Sequence, residues 1–289
     1  MLSEELLKKV RRIEIKTRRL SKNIFSGQYH SAFKGRGMAF SEVREYNYGD
    51  EVRSIDWNVT ARFNHPYIKV FEEERELTVI LLIDVSGSTF FGSNGTFKSD
   101  VITEIAAVLS FSAIENNDKV GVIFFSDKVE KYIPAKKGSS HILRIIRELI
   151  TYRQQETKTD YSCAFKFMNN VIKKKSTCFL ISDGFGSFDD SLQIVARKHD
   201  FSAIIVRDKR EDSLPENIGL MLLHDNETGK NLWIDTSDKK TMQELHYYRE
   251  KQDKQMQQSL LHLGIDYIMC YTGQDYIRSL MQLFKEKGY

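Results

Sequence analysis

The sequence predicts an α/β protein with a doubly wound, mostly parallel β-sheet of strand order 3-2-1-4-5-6 and a small N-terminal appendage. From residue 77 onward, strand-like and helix-like segments alternate, which is typical of a parallel sheet with helices on both faces. Segment 79–83 is uncharged and rich in β-branched residues, as a central strand buried on both faces requires. Residues 24–76 combine scattered glycines, aromatic residues and alternating charges, so we expect short strands and turns there.

The chain begins with a basic amphipathic segment, residues 1–23, in which apolar residues recur at helical spacing between lysines and arginines. We expect a helix that packs on the body of the protein and keeps its basic face in solvent. Peripheral contact with anionic lipid, or with an acidic partner, is the alternative.

The remaining elements follow in regular alternation. We assign 1–76 to the basic helix and the appendage, and 77–289 to the α/β domain. Strands are predicted at 78–83, 120–125, 129–133, 177–182, 201–206 and 266–271. Helices are predicted at 98–116, 139–152, 160–174, 188–198, 238–262 and 274–286. Residues 218–235 interrupt this rhythm and predict a β-hairpin at the edge of the sheet.

Bulk properties exclude several classes of protein. The net charge of +3 over 289 residues is too small to indicate a nucleic-acid partner. Cys163, Cys178 and Cys270 lie far apart, so neither a disulfide framework nor a zinc site is expected. No apolar run approaches the roughly 20 residues that span a bilayer, and the N-terminus lacks the apolar core of a signal peptide. We therefore expect a cytoplasmic protein.

Carboxylates and hydroxyls follow the predicted strands where the sheet reverses its winding. They are Asp84, Ser86, Ser88, Thr159 and Asp183. The carboxyl ends of strands at such a point open into one crevice, which is where open α/β sheets bind ligands. Oxygen-only donors favour hard cations, so the set predicts Mg²⁺, with Mn²⁺ or Ca²⁺ as alternatives. For Asp-x-Ser-x-Ser alone, a polar turn without metal is the competing interpretation.

Taken together, these five positions resemble the metal-ion-dependent adhesion site of von Willebrand factor A-type domains. The resemblance implies that Asp84, Ser86 and Ser88 contact the metal. It implies that Thr159 and Asp183 contribute directly or through water, and that an Asp or Glu carboxylate of a protein partner takes the open position. All five positions are filled, so the motif predicts a competent site.

A block of residues upstream of these positions indicates a more specific family. It consists of Gly35-Arg-Gly-Met-Ala-Phe40, Arg44-Glu-Tyr-Asn-Tyr-Gly-Asp50, Arg53-Ser-Ile-Asp-Trp57 and Thr60-Ala-Arg62. This block is similar to the signature of the bacterial family called domain of unknown function 58, in which it directly precedes an A-type domain. The resemblance covers roughly residues 27–210. It implies an adaptor or co-chaperone that works with a MoxR-type AAA+ ATPase, or with the client of that ATPase, in assembling or maturing other proteins.

Charged residues of alternating sign surround the aromatic residues of this block. They are Arg44, Asp50, Arg53, Asp56 and Arg62, with Trp57 among them. From these alternating charges we expect an ion-pair network that fixes the appendage to the sheet. Such networks contribute more to the geometry of a protein than to its stability. A surface that recognises a partner protein is the alternative.

The sequence thus favours a non-enzymatic, divalent-metal-dependent protein-binding module. The alternative is a metal-dependent phosphohydrolase of the haloacid-dehalogenase-like type with Asp84 as its nucleophile. Such enzymes carry a second Asp two residues after the nucleophile as general acid. Here that position is Ser86, and the sequence offers no lysine in the companion role.

Overall fold

The structure is a computed structural model. It describes residues 4–24, 39–72, 77–93, 95–152, 158–184, 186, 188–215, 217–224 and 231–287. The chain forms two compact units, one comprising residues 34–77 and the other comprising residues 1–33 together with 78–289. The predicted motif at Gly35–Met38 and the predicted hairpin turn at 226–229 lie outside the described residues.

The described elements are numbered here along the chain. The strands are β1 (Ala39–Glu45), β2 (Tyr67–Glu72), β3 (Thr78–Asp84), β4 (Gly92–Ser93), β5 (Thr96–Phe97), β6 (Lys119–Phe125), β7 (Val129–Lys136), β8 (Thr177–Ser182), β9 (Asp200–Arg207), β10 (Leu220–His224), β11 (Asn231–Asp235) and β12 (Asp266–Tyr271). The α-helices are α1 (Glu4–Ile24), α2 (Trp57–Phe63), α3 (Lys98–Glu115), α4 (Ser139–Thr151), α5 (Tyr161–Val171), α6 (Asp190–Lys198), α7 (Lys209–Asp212), α8 (Lys239–His262) and α9 (Tyr276–Lys287).

The large unit is built on a sheet whose strands lie in the order β12-β9-β8-β3-β6-β7. All neighbouring pairs are parallel except β6 and β7, which are antiparallel. Counted along the chain, this order is 3-2-1-4-5-6, so the predicted fold class is confirmed. The winding reverses between β3 and β8, which are neighbours at the centre of the sheet.

Burial on both faces explains the apolar character of the central strand. Residues 79–83 are fully buried. Ile80 and Leu82 join a core cluster with side chains of α5, α6 and α8. On the opposite face, Phe179 of β8 meets Phe284 of α9 edge-on, with ring centroids 6.2 Å apart. A strand placed this way cannot alternate between apolar and polar residues.

The basic N-terminal helix packs on the large unit, as we expected. Its apolar stripe, including Val10 and Ile13, is buried against Phe111 of α3 and Ile142 of α4. Its basic face reaches α3 through an ion pair of 2.8 Å between Lys9 and Asp100. The helix therefore belongs with the α/β unit, and its predicted grouping with the appendage in 1–76 is corrected. Amphipathicity shows that a helix must cover something, but not which part of the chain it covers.

The small unit consists of short elements, as its sequence predicts. β1 and β2 form an antiparallel pair with an irregularity between Phe40 and Glu42. Asp56 caps α2 by accepting hydrogen bonds from the backbone amides of Asn58 and Val59. The helix ends at Asn64, which takes the left-handed conformation that suits asparagine at such a position.

The predicted hairpin is present as the antiparallel pair β10–β11. Leu222 and Trp233 face each other across the two strands, and both are exposed. Within the described residues, the structure contains no helix that is both long enough and apolar enough to cross a membrane.

Candidate functional site

The candidate site lies at the carboxyl edge of the two central strands. Asp84 ends β3, and Asp183 follows β8 directly. The strands run in register, with Ile83 opposite Ile181, so Asp84 comes next to Ser182, and the carboxylate of the following residue, Asp183, lies near enough to raise the pKa of Asp84. Both residues are buried, with relative exposures of 1% and 0%. The sheet therefore brings two acidic side chains together in a place where water screens them poorly.

Three of the predicted residues form one connected loop. The backbone amide of Ser86 donates to Oδ1 of Asp84 at 2.9 Å, which folds the chain back over the strand end. The Ser86 and Ser88 hydroxyl oxygens lie 3.1 Å apart. A short 3₁₀ turn, Gly87–Phe90, holds this geometry, and the Thr89 hydroxyl donates to the Ser86 carbonyl. The loop thus presents a carboxylate and two hydroxyls within a few residues.

Thr159 lies at the same edge of the sheet. The amide of the next residue, Asp160, donates at 2.8 Å to the carbonyl of Ser126, which directly follows β6. The amide of Val85 bonds to the carbonyl of Phe125 at the end of the same strand. Thr159 is only partly buried, unlike Asp84 and Asp183. Thr159 is therefore the most exposed of the five candidate residues.

Ser182 supports Asp84 and was not identified from the sequence. Its hydroxyl donates to Oδ2 of Asp84 at 2.7 Å, so its oxygen is left to accept hydrogen bonds. The Tyr161 hydroxyl lies 2.6 Å from that oxygen and donates to it, and the Gly184 amide approaches it at 3.2 Å. In the sequence, Ser182 is simply the last residue of a buried strand, so nothing there predicts that it donates to Asp84.

Lys98 is the second residue that the sequence analysis missed. It opens α3, its side chain is fully buried, and its ammonium donates to Oδ2 of Asp183 at 3.0 Å. The same ammonium pairs with Glu211 of α7 at 2.6 Å. The expectation that no lysine accompanies the paired acids is therefore wrong. Lys98 stands fourteen positions after Asp84, and only the fold brings its side chain back to the strand ends.

A second buried cation fixes the backbone of Asp183. The Nε of Arg207 donates to the Asp183 carbonyl at 3.1 Å, and its guanidinium pairs with Asp253 of α8. Arg207 is 1% exposed. Sequence did offer a signal here, because Arg207 and Asp208 follow a predicted strand at the same edge of the sheet.

The electrostatics of the pair favour a cation. Burial and the nearby Asp183 carboxylate raise the pKa of Asp84 to about 7, against the hydrogen bonds from Ser86 and Ser182. Burial also raises the pKa of Glu211, although Lys98 opposes that change. Two buried carboxylates that are close enough for one to raise the pKa of the other gain from a positive charge placed between them.

The donor set fits a hard divalent cation. Asp84, Ser86 and Ser88 could hold it directly, with Thr159 and Asp183 contributing directly or through water, since carboxylate and hydroxyl oxygens are what Mg²⁺ prefers. Within the part of the chain that the structure describes, no three His, Cys, Asp or Glu side chains form a metal cluster, so hydroxyls must complete any site here. Burial and Asp160 raise the pKa of the Cys163 thiol to about 12, which disfavours the thiolate form at neutral pH.

A groove of about 960 Å³ opens beside the site. It starts at Gly184, which follows Asp183, and runs along α8 past Gln252, Gln255 and Met256. Gly184 has φ +77°, and a Cβ there would lie 2.8 Å from the Met256 sulfur. Glycine therefore keeps the end of the groove open next to the paired acids.

The predicted network of the appendage is only partly present. Arg44 makes a bidentate pair with Asp50, at 2.9 and 2.8 Å, which holds the pKa of Asp50 below its usual range. Asp56 caps α2 and pairs with Lys69 at 3.4 Å. Arg53, Trp57 and Arg62 lie at the surface instead, and Trp57 is 69% exposed. Alternating charge along a sequence does not show which side chains meet, and the short turn and helix here direct these three outward.

Comparison with known proteins found relatives in sequence and neighbours in structure. The chain is 28% identical to Mb1516, an uncharacterized protein of Mycobacterium bovis, over 224 residues that make up 76% of this chain and 70% of that protein. Among solved structures, BatB of Bacteroides thetaiotaomicron has a TM-score of 0.48 at 15% identity, covering 73% of this chain and 98% of that one. The VWA domain of SpRpn10 has a TM-score of 0.39 at 10% identity, covering 73% and 95%. The model of the family described as "Protein of unknown function DUF58" matches residues 42–256, and the chain belongs to that family.

Proposed function

We propose that the protein is a non-enzymatic, divalent-cation-dependent protein-binding module. The observation that carries the proposal is the cluster at the carboxyl edge of β3 and β8, where Asp84, Ser86 and Ser88 present only oxygen donors next to Asp183. Hydroxyl-rich ligation leaves much of the charge of a cation uncompensated, so the bound cation attracts an external carboxylate. A partner's Asp or Glu would supply it.

The partner we propose is a MoxR-type AAA+ ATPase or its client, with the protein acting as adaptor or co-chaperone in assembly or maturation. This step rests on the resemblance of the Arg44–Arg62 block and on membership of the family. The three cysteines are free thiols, which suits a reducing cytoplasm.

The experiment measures binding of the purified host MoxR-type ATPase to immobilised protein at constant Mg²⁺. Parent protein is compared with Asp84→Asn, which keeps the size of the side chain and removes its charge. Holding Mg²⁺ constant matters, because the ATPase itself depends on Mg²⁺ and a chelator would disable both proteins. We expect at least a tenfold loss of binding in the variant. Equal binding by both proteins would reject the cation-dependent mechanism.

One observation favours a second candidate, the metal-dependent phosphohydrolase. Lys98 lies beside Asp183 as a companion lysine that the sequence analysis did not find. The position of the general acid is still Ser86, whose hydroxyl is a poor proton donor at neutral pH. Hydrolysis of p-nitrophenyl phosphate with Mg²⁺ separates the two functions. Robust turnover by the parent that is lost in Asp84→Asn would establish the phosphohydrolase.

A further inference from the structure

The ammonium of Lys98 is the most deeply buried positive charge that contacts the candidate site. Its side chain has no exposed surface, and it lies 3.0 Å from Asp183 and 2.6 Å from Glu211. The centroid of the Phe91 ring stands 5.9 Å from the ammonium nitrogen. The site therefore already holds one cation that belongs to the chain.

Burying a lysine at this position carries a large desolvation free energy. Burial removes the ammonium from water, and only close acidic partners offset that loss. Lys98 is also the first residue of α3, where the helix dipole opposes a positive charge. Structural packing at this point would be served better by an apolar side chain. The charge itself is therefore what the position requires.

Glu211 is held in place, so the contact is not that of a mobile side chain. Its second carboxylate oxygen accepts from the amide of Asp208, and the two residues form a reciprocal cap on α7. Asp208 in turn accepts from Ser93 and from the hydroxyl of Thr272. Lys98 thus lies between a fixed acid, Glu211, and a candidate cation ligand, Asp183.

We propose that Lys98 sets the cation affinity of the site, an inference that rests on the proposed function. Its ammonium neutralises Asp183 and repels a divalent cation nearby, which keeps the affinity of the free protein low. Glu211 moderates this effect by taking part of the charge of Lys98. When Lys98 keeps the cation affinity low, the negative charge of a partner's carboxylate raises that affinity the most.

The test measures Mn²⁺ affinity of the full chain by electron paramagnetic resonance, with Mg²⁺ competition, for variants that change one charge each. Lys98→Met should bind about tenfold tighter than the parent, and Glu211→Gln about tenfold weaker. Lys98→Arg retains the charge and should stay within a few-fold of the parent. Lys9→Met removes a surface charge of α1 that pairs with Asp100 of α3, so it controls for net charge and should leave the affinity unchanged.

Opposite signs distinguish the proposal from a structural role. If Lys98 only holds the loop together, both Lys98→Met and Glu211→Gln weaken Mn²⁺ binding, and the proposal fails. Thermal unfolding checks that each variant is folded. If Lys98→Met does not fold, Lys98→Gln, which also removes the charge but keeps a polar end, takes its place, and parental or weaker affinity in it rejects the proposal. A parent that binds no cation at all rejects the proposed function as well, whereas a binding parent with unchanged variants rejects only the role of Lys98.

Discussion

The Ser182 hydroxyl donates a 2.7 Å hydrogen bond to the Asp84 carboxylate across the two central strands. Because the Ser182 hydroxyl donates its only hydrogen to this bond, the Tyr161 hydroxyl and the Gly184 amide must donate to its oxygen. The chain of bonds therefore points toward Asp84 and stabilises negative charge there. Burial and Asp183 raise the pKa of Asp84. The same hydrogen bonds hold its carboxylate in an orientation that suits a cation ligand.

Ser182→Ala should lower the free energy of unfolding by about 1–3 kcal/mol, since it leaves a buried carboxylate oxygen without its donor. Urea denaturation measures the change. Ser202→Ala is a matched control, because Ser202 is equally buried and its hydroxyl has no hydrogen-bond partner among the described residues. Equal losses in the two variants would contradict the support that Ser182 gives to Asp84.

Ile13→Ala should cost about 2–4 kcal/mol of stability, because Ile13 is 7% exposed and packs in the cluster with Phe111 and Ile142. Ile15→Ala on the same helix should change stability by less than about 0.5 kcal/mol, because Ile15 is 63% exposed. Chemical denaturation of both variants checks the packing of α1. A negligible effect of Ile13→Ala would show that the helix does not pack there in solution.

Asp56→Ala should speed hydrogen exchange at the amides of Asn58 and Val59, since these two groups donate to the Asp56 carboxylate. Asp56→Asn removes the ion pair with Lys69 but keeps an oxygen that can cap the helix. We therefore expect near-parental exchange in Asp56→Asn. Fast exchange in both variants would assign the protection to Lys69 rather than to the cap.

The buried His199 should make the protein less stable as the pH falls below about 6.5. Neither ring nitrogen has a hydrogen-bond partner among the described residues, and burial, aided by Lys198, lowers the pKa of the ring to about 4. Between pH 6.5 and 4 the unfolded chain therefore binds a proton that the folded protein does not bind. His199→Met should reduce the loss of stability over this interval. Parallel pH profiles of parent and variant would contradict a buried neutral ring.

The strands of the main sheet were predictable because burial on both faces leaves an uncharged sequence, as in 79–83 and 177–182. Asp84 and Asp183 were predictable for a related reason, since polar residues directly after such strands mark the carboxyl edge. Lys98 was not, because it reads as the first residue of an ordinary helix, and its partners lie 85 and 113 positions away. Its role depends on contacts that only the folded chain creates.

In the appendage, too, the sequence does not predict which side chains meet. Alternating charge around Trp57 predicted a network, yet only Arg44–Asp50 and Asp56–Lys69 form pairs there among the residues that the structure describes. A charge pattern identifies candidates, whereas the backbone turns at 52–54 and 57–63 decide which of them meet.

Direct titration of the purified protein with Mg²⁺ by calorimetry measures whether Asp84 and its neighbours hold a divalent cation. We expect one saturable site in the parent and none in Asp84→Asn, with both proteins unfolding cooperatively. Saturable binding of equal affinity in the two proteins, or no binding by the folded parent, would contradict this expectation.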